Sequence, residues 1–268
     1  MKQIKWLGPL YYVILAIFLY LPILFLIVFS FNDSVVLSFP LKGFTLRWYK
    51  QLLDTPELLD ALYNTVWVAV ISSFVATLLG AMSAIAINRY SFKGKRLFSS
   101  ISTFPMVIPY LVLGVALLLL FNALGIQLNL WTVAIGHVVI NVPYAMLIIG
   151  PRLSGFAANL EEASMDLGET YWGTLRKVTI PIIMPSLIAS FLSSFSTSFD
   201  EFALTFFLTG TQTTLPIYLY SQLRFPQRLP LAITVAAVVI VFSSILLIAS
   251  EWLRMRSEKP LTSRGQNG

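Results

Sequence analysis

Two adjacent carboxylates end a serine- and threonine-rich apolar stretch, and they are the side chains best suited to attract a cation. Asp200 and Glu201 would be costly inside a membrane segment unless they meet water or a positive charge. At helical spacing Ser193, Thr197 and Asp200 share one face. These carboxylates therefore line a pathway for a cation such as an ammonium group, form a structural pair, for example with a base on a neighbouring protein, or are solvated near the outer end of the span. The structural interpretation carries more weight for Glu201.

A second group of polar residues lies in another apolar stretch. His137 and Asn141 are one helical turn apart, so they either line the same pathway or form hydrogen bonds between helices. Tyr144 could supply an aromatic wall for a cation or simply pack. The chain has one histidine and no cysteine, which offers little for a metal site or for the catalytic groups of a membrane enzyme.

A charged segment lies between two apolar stretches, at residues 151–181. Asn159 followed by Glu162 is the pattern of a capping box that opens a helix. Gly168 could close that helix in a left-handed conformation, Thr170 could cap a second short helix, and Pro181 should limit its length. Such a segment belongs in water, because its charges would not be stable in hydrocarbon. Its charged residues are Arg152, Glu161, Glu162, Asp166, Glu169, Arg176 and Lys177.

Composition places the rest of the chain in a bilayer. Hydrophobic residues make up 57% and charged residues 11%, and the mean hydropathy is +0.80. The bases are scattered in short loops without a recognition motif, so we expect no nucleic-acid partner. Lys2 and Lys5 precede an apolar run that is too long for a signal peptide and lacks a cleavage site, so we expect an uncleaved membrane helix.

We predict an all-α integral membrane protein with six transmembrane helices in a single domain, residues 1–268. Pro105, Pro109 and Gly114 interrupt the third span, and Gly80 belongs to a small-residue face of the second span on which another helix could pack closely. A polar tail at 256–268 is expected to be disordered. The expected spans lie at about 10–31, 64–87, 101–121, 131–150, 182–209 and 231–252.

The distribution of Lys and Arg predicts the orientation. Six spans put both termini on one side, and that side, with the loop at 151–181, carries thirteen Lys and Arg residues against five on the other. By the positive-inside rule both termini and this loop are cytoplasmic. No inverted half-repeat is evident, which weighs against a secondary transporter, although a transporter or channel with an exposed hairpin remains an alternative.

The charged loop resembles a known motif. Glu162-Ala163-Ser164, then Gly168 after three residues and Val178-Thr179-Ile180-Pro181 after nine more, is similar to the EAA motif of permease subunits in bacterial ABC importers, with Ser164, Val178 and Ile180 as departures. The resemblance implies that this segment, here called the coupling loop (residues 151–181), docks on a cytoplasmic ATPase. The residues implied in ATPase coupling are Glu161, Glu162, Ala163, Asp166, Leu167 and Gly168.

Further segments narrow the resemblance. Arg89-Tyr90, Leu124-Gly125-Ile126 and Phe207-Leu208-Thr209-Gly210 are similar to the second permease subunit of spermidine/putrescine importers, although permeases for opines, phosphonates, thiamine and ferric iron share much of this frame. The resemblance implies a homologous second permease, an ATPase dimer, a periplasmic substrate-binding protein and a place in the bacterial inner membrane. The chain has no P-loop motif, so ATP and Mg²⁺ are expected on the ATPase, with no cofactor on this chain.

Overall fold

A computed structural model describes residues 7–36, 40–155 and 159–258. Helices dominate these residues, and the only β-type pairing among them is an isolated bridge between Asn32 and Phe44. We label the α-helices in chain order: α1 Leu7–Phe29, α2 Arg47–Leu53, α3 Pro56–Arg89, α4 Lys95–Thr103, α5 Tyr110–Ala123, α6 Leu130–Gly155, α7 Asn159–Asp166, α8 Tyr171–Thr174, α9 Ile180–Asp200, α10 Thr205–Leu208, α11 Leu215–Gln222 and α12 Leu229–Glu258.

Five of the described helical segments are long and apolar enough to cross a membrane, and a bent pair of helices passes the same test only when its two halves are counted as one span. The bent pair is Lys95–Val107 followed by Tyr110–Ala123, with an angle of 109° between its halves. The five others are Leu10–Phe29, Pro56–Arg89, Leu130–Ser154, Tyr171–Asp200 and Pro226–Met255.

Proline chemistry explains the break in the third span. A 3₁₀ turn, Phe104–Val107, follows α4, and Pro109 precedes the first residue of α5. Proline lacks an N–H and disfavours helical geometry in the residue before it, so the chain turns there. The expected interruption at Gly114 is wrong, since α5 continues through it. Gly114 instead permits close packing, because a Cβ there would lie 3.1 Å from Cα of Leu204.

Two predicted boundaries also differ. The sequence predicts a fifth span that continues to residue 209, but α9 ends at Asp200 and the short helix α10 follows a break. It also predicts a disordered tail from residue 256, but α12 continues to Glu258, and residues 259–268 lie outside the described residues.

By contacts the chain divides into two compact units, one of which comprises residues 1–61 and 215–242. In this unit the indole Nε1 of Trp48 donates to the carbonyl oxygen of Asn32 at 2.9 Å, and the hydroxyls of Ser30 and Tyr49 lie 2.6 Å apart. These bonds hold α2 against the end of α1. The apolar surface of α1 is exposed over the length that could span a membrane.

The other unit comprises residues 62–214 and 243–268. Here α6 packs along α9, and the small-residue face of α3 closes on both of them. A Cβ on Gly80 would overlap with Cβ of Ala145, so only glycine permits this approach of α3 to α6. The packing confirms the predicted use of the small-residue face. It also positions the polar residues described below.

Candidate functional site

The first helix of the coupling loop forms as its local signals predict. α7 begins at Asn159 and ends at Asp166, and residues 156–158 before it lie outside the described part of the chain. Gly168 has φ of +90°, and its N–H donates to the carbonyl oxygen of Met165 at 2.9 Å. The left-handed glycine closes α7 in the predicted manner.

The second helix begins as predicted but does not end at Pro181. Thr170 caps α8, its hydroxyl oxygen accepting a hydrogen bond from the N–H of Gly173 at 3.1 Å. A π-helical turn, Leu175–Thr179, then leads into α9, which has Pro181 in its first turn. The wider π turn relieves the clash that the proline ring would make with a preceding carbonyl. The coupling loop is therefore continuous with the transmembrane helix α9.

One side of α7 faces the protein. Arg89, in the last turn of α3, places its Nε 2.8 Å from Oε2 of Glu161, and the two side chains are 15% and 14% exposed. The hydroxyl of Thr179 donates to Oε1 of the same carboxylate at 2.7 Å. The hydroxyls of Ser164 and Thr174 lie 3.0 Å apart, which links α7 to α8. Glu161 thus faces inward, whereas the resemblance implied a role in ATPase coupling.

The opposite side of α7 is open to solvent. Glu162, Ala163, Asp166 and Gly168 lie on this side or at its end, and Leu167 is 88% exposed. A leucine this exposed at the tip of a charged loop favours a protein contact, because burying it would remove its apolar surface from water. These residues form one surface, as docking on another protein requires. Their role in ATPase coupling stays a prediction.

His137 belongs to a buried chain of hydrogen bonds between helices. Its Nδ1 lies 2.5 Å from Oγ of Ser198, whose hydroxyl lies 3.0 Å from that of Ser72. Its Nε2 lies 2.8 Å from Oγ1 of Thr205. All four side chains are buried. In this structure His137 has the bonding role between helices that the sequence left as one of two alternatives.

Glu201 closes the break between α9 and α10. Its Oε1 accepts from the N–H of Leu204 at 2.8 Å, and its Oε2 accepts from the N–H of Thr205 at 2.9 Å and from the Thr205 hydroxyl at 2.8 Å. Nε2 of His137 lies 3.5 Å from the same Oε2. A carboxylate that accepts several hydrogen bonds at the start of a helix is stabilised by them. Glu201 is 6% exposed, so its neighbours satisfy it within the protein.

Asp200 is placed differently from its neighbour. It ends α9 and is exposed, whereas Glu201 turns inward. Thr197 and Ser193 are half-buried on α9, and the Ser193 hydroxyl lies 2.8 Å from that of Ser250 on α12. This leaves Asp200 as the carboxylate of the pair that can meet a solute.

The two remaining pathway candidates lie on α6. Tyr144 is half-buried. Asn141 is fully buried, and neither its amide nitrogen nor its oxygen finds a hydrogen-bond partner among the described residues. Their predicted place on a substrate pathway stays a prediction.

Sequence reasoning did not predict the contacts that connect these groups. Arg89 and Thr179 bind Glu161, and Ser72, Ser198 and Thr205 surround His137. A signal did exist for Ser198, because Ser190, Ser194 and Ser198 follow one another at intervals of four residues and all three are buried on α9. Nothing in the sequence pairs Arg89 with Glu161, because the two residues are far apart in the chain.

Comparisons with known proteins give the family. The model of the binding-protein-dependent transport system inner membrane component matches residues 76–259. The spermidine/putrescine transport system permease protein PotC of Escherichia coli strain K12 is 36% identical over 235 residues, covering 87% of this chain and 88% of PotC. The putrescine transport system permease protein PotI of the same strain is 31% identical over 215 residues, covering 77% of this chain and 76% of PotI.

Solved structures share the fold. A bacterial ABC transporter involved in the import of alginate matches with a TM-score of 0.70 and 19% identity, over 96% of this chain and 98% of the other. The MetNI methionine ABC transporter, in an inward-facing conformation, matches with a TM-score of 0.62 and 18% identity, over 75% of this chain and 95% of the other. These likenesses confirm the predicted fold class of an ABC importer permease.

The family is assigned from the match to the family model and from the large share of the chain that aligns with the relatives. The fold agrees with this family. The protein is a multi-pass membrane subunit of a transport system rather than an enzyme. It belongs to the family of inner membrane components of binding-protein-dependent transport systems, the permease subunits of ABC importers.

Proposed function

We propose that this subunit forms half of the translocation pathway of an importer for polyamines such as putrescine and spermidine. The observation that carries the proposal is the 36% identity to a spermidine/putrescine permease over 87% of the chain. The exposed carboxylate of Asp200 suits such a cargo, because polyamines carry ammonium groups that a carboxylate attracts. Thr197, Ser193 and Tyr144 would complete the wall of the pathway.

The proposed complex has three further components. A homologous second permease completes the pathway, a dimer of ATP-binding subunits holds ATP and Mg²⁺, and a periplasmic protein delivers the polyamine. The termini and the coupling loop lie in the cytoplasm, as the excess of Lys and Arg on that side supports. The exposed surface of α7, with Leu167 at its tip, would dock on the ATPase.

The mechanism follows from the continuity of the loop with α9. Closure of the ATPase dimer around ATP displaces α7 and α8, and α9 moves with them because the π turn joins α8 to α9. Rigid-body rocking of the helices then alternates access between the two sides of the membrane. Glu201 and His137 would act behind the pathway, holding the end of α9 and therefore Asp200 in place.

The test is uptake by the reconstituted complex. Proteoliposomes with both permeases, the ATPase inside and the binding protein outside should accumulate labelled putrescine or spermidine only when ATP is enclosed. Uptake that persists without the ATPase would instead favour a secondary transporter. ATP-dependent uptake of an anion or zwitterion but not of a polyamine would keep the importer and contradict the proposed cargo.

A further inference from the structure

The two short helices of the coupling loop are connected to the membrane helices in different ways. α8 passes through the π turn Leu175–Thr179 directly into α9, so a displacement of α8 is carried into α9 by the backbone. α7 has no such continuity with α3, which ends at Arg89 in a distant part of the sequence. Any force on α7 must reach α3 through side chains.

Glu161 supplies that connection. Its Oε2 lies 2.8 Å from Nε of Arg89 on α3, while its Oε1 accepts from the hydroxyl of Thr179 at the end of the π turn. The two oxygens of one carboxylate therefore hold two helices, and this arrangement fixes the orientation of the side chain. The ion pair is largely shielded from water, with about one seventh of each side chain exposed, so salt screens it less than a surface pair.

The surroundings of the ion pair leave room for movement. A cavity of about 270 Å³ borders it, lined by residues that include Arg89, Glu161, Glu162 and Thr174. The rings of Tyr90 and Tyr171 make an edge-to-face contact beside it, with centroids 6.3 Å apart. Ile85, Met165 and Leu175 also line this cavity, and the ion pair is the charged contact between α7 and α3 at its edge.

We propose that Glu161, held by Arg89 and Thr179, is the joint through which the coupling loop moves α3 together with α9. This inference rests on the proposed function, since it concerns how that loop transmits ATPase closure. Ala163 on the outer side of α7 and Leu167 directly after α7 receive the displacement, and Glu161 on the inner side passes it on. Arg89 is a positioning residue, because it acts through Glu161.

The first test measures coupling in the reconstituted complex, as molecules of polyamine taken up per ATP hydrolysed. Arg89→Ala should lower this ratio roughly 2- to 30-fold, the range by which single changes along a coupling route act. Arg89→Lys, which keeps the charge, should recover most of the ratio, and the exchange of Arg89→Glu with Glu161→Arg should recover part of it. Arg254→Ala is the matched control, because it breaks the exposed pair between Arg254 and Glu251 outside the loop and should leave the ratio unchanged.

A residue that only stabilises the fold would give another result. Arg89→Ala would then reduce the amount of folded complex, lowering uptake and ATP hydrolysis in proportion and leaving their ratio intact. An unchanged ratio of polyamine uptake to ATP hydrolysis in Arg89→Ala would overturn the proposal that Glu161 is the joint. Failure of the proposed function is distinguishable, because the unmodified complex would then show no ATP-dependent uptake of polyamine.

A second measurement tests the joint without any substrate. The chain has no cysteine, so Met82→Cys on α3 and Leu160→Cys on α7, both at exposed positions, can carry spin labels without a background. The distance distribution between the labels should be narrow in the chain that keeps Arg89, broader with Arg89→Ala and narrow again with Arg89→Lys. Identical distributions in all three would contradict the proposal.

Discussion

Nε2 of His137 and Oγ1 of Thr205 lie 2.8 Å apart, and this contact fixes the direction of a chain of hydrogen bonds between helices. Glu201 accepts the Thr205 hydroxyl proton, so Thr205 must accept from Nε2–H of His137. Nδ1 of His137 lies 2.5 Å from Oγ of Ser198, whose hydroxyl lies 3.0 Å from that of Ser72. The chain ties α3, α6 and α9 to the start of α10.

Removing the hydroxyl at the centre of this chain should destabilise the protein. Thr205→Val keeps the shape of the side chain but removes the hydroxyl between Oε2 of Glu201 and Nε2 of His137, so each loses one buried hydrogen bond, at an expected cost of about 1–3 kcal/mol. For a chain of this size that lowers the melting temperature by about 2–12 °C. Thermal unfolding of the purified protein in detergent measures the effect.

The matched control is Thr205→Ser, which keeps the hydroxyl. Its melting temperature should lie much closer to that of the unmodified protein. Equal melting temperatures for the valine and serine variants would show that the chain of hydrogen bonds does not stabilise this region.

A left-handed glycine in the coupling loop leads to a second prediction. Gly168 has φ of +90°, and a Cβ at this position would have no atom within 4 Å, so Gly168→Val would be strained by its backbone rather than by neighbours. The strain of about 1–2 kcal/mol should distort the turn after α7 and lower polyamine uptake while ATP hydrolysis continues. Asparagine tolerates the left-handed conformation, so Gly168→Asn should lower polyamine uptake less than Gly168→Val does.

Gly94 provides a control with the same local geometry, since its φ is +88° and no atom lies within 4 Å of a Cβ there. Gly94→Val imposes similar strain outside the coupling loop and should retain coupling. If both valine variants lost uptake equally, backbone strain alone would explain the effect, and the special role of Gly168 would be refuted.

The exposed carboxylate at the end of α9 leads to a third prediction. Asp200→Asn removes the charge with little change of size and should lower uptake of spermidine by roughly tenfold, the equivalent of about 1.4 kcal/mol of lost attraction. Asp200→Glu keeps the charge and should retain more of the uptake. Unchanged uptake with Asp200→Asn, measured as the initial rate in proteoliposomes, would remove Asp200 from the pathway.

Local signals in the sequence predicted the local parts of the site. The glycine turn at Gly168 and the cap at Thr170 depend on residues within a few positions, so spacing was sufficient to find them. The continuation through Pro181 was missed, because a proline is ordinarily a helix stop and the π turn that accommodates it has no sequence signature. The predicted six spans depended on apolar length, which is also a local property.

The sequence did not predict which of the charged side chains are exposed and which are paired, because this depends on tertiary contacts. Asp200 and Glu201 are adjacent and chemically alike, yet one is exposed and the other binds the backbone of α10. Arg89 and Glu161 are distant in the chain and become partners only because α7 packs beside the end of α3. Contacts of this kind follow from the packing of whole helices and not from spacing.

The central claim is that the coupling loop lies in the cytoplasm and docks on the ATPase, and labelling of Leu167→Cys tests it most directly. The chain has no other cysteine, and Leu167 is 88% exposed. A membrane-impermeant maleimide should label this variant in inside-out vesicles but not in intact cells, and added ATPase subunits should protect it. Labelling from outside the cell, or labelling that the ATPase does not reduce, would contradict the account.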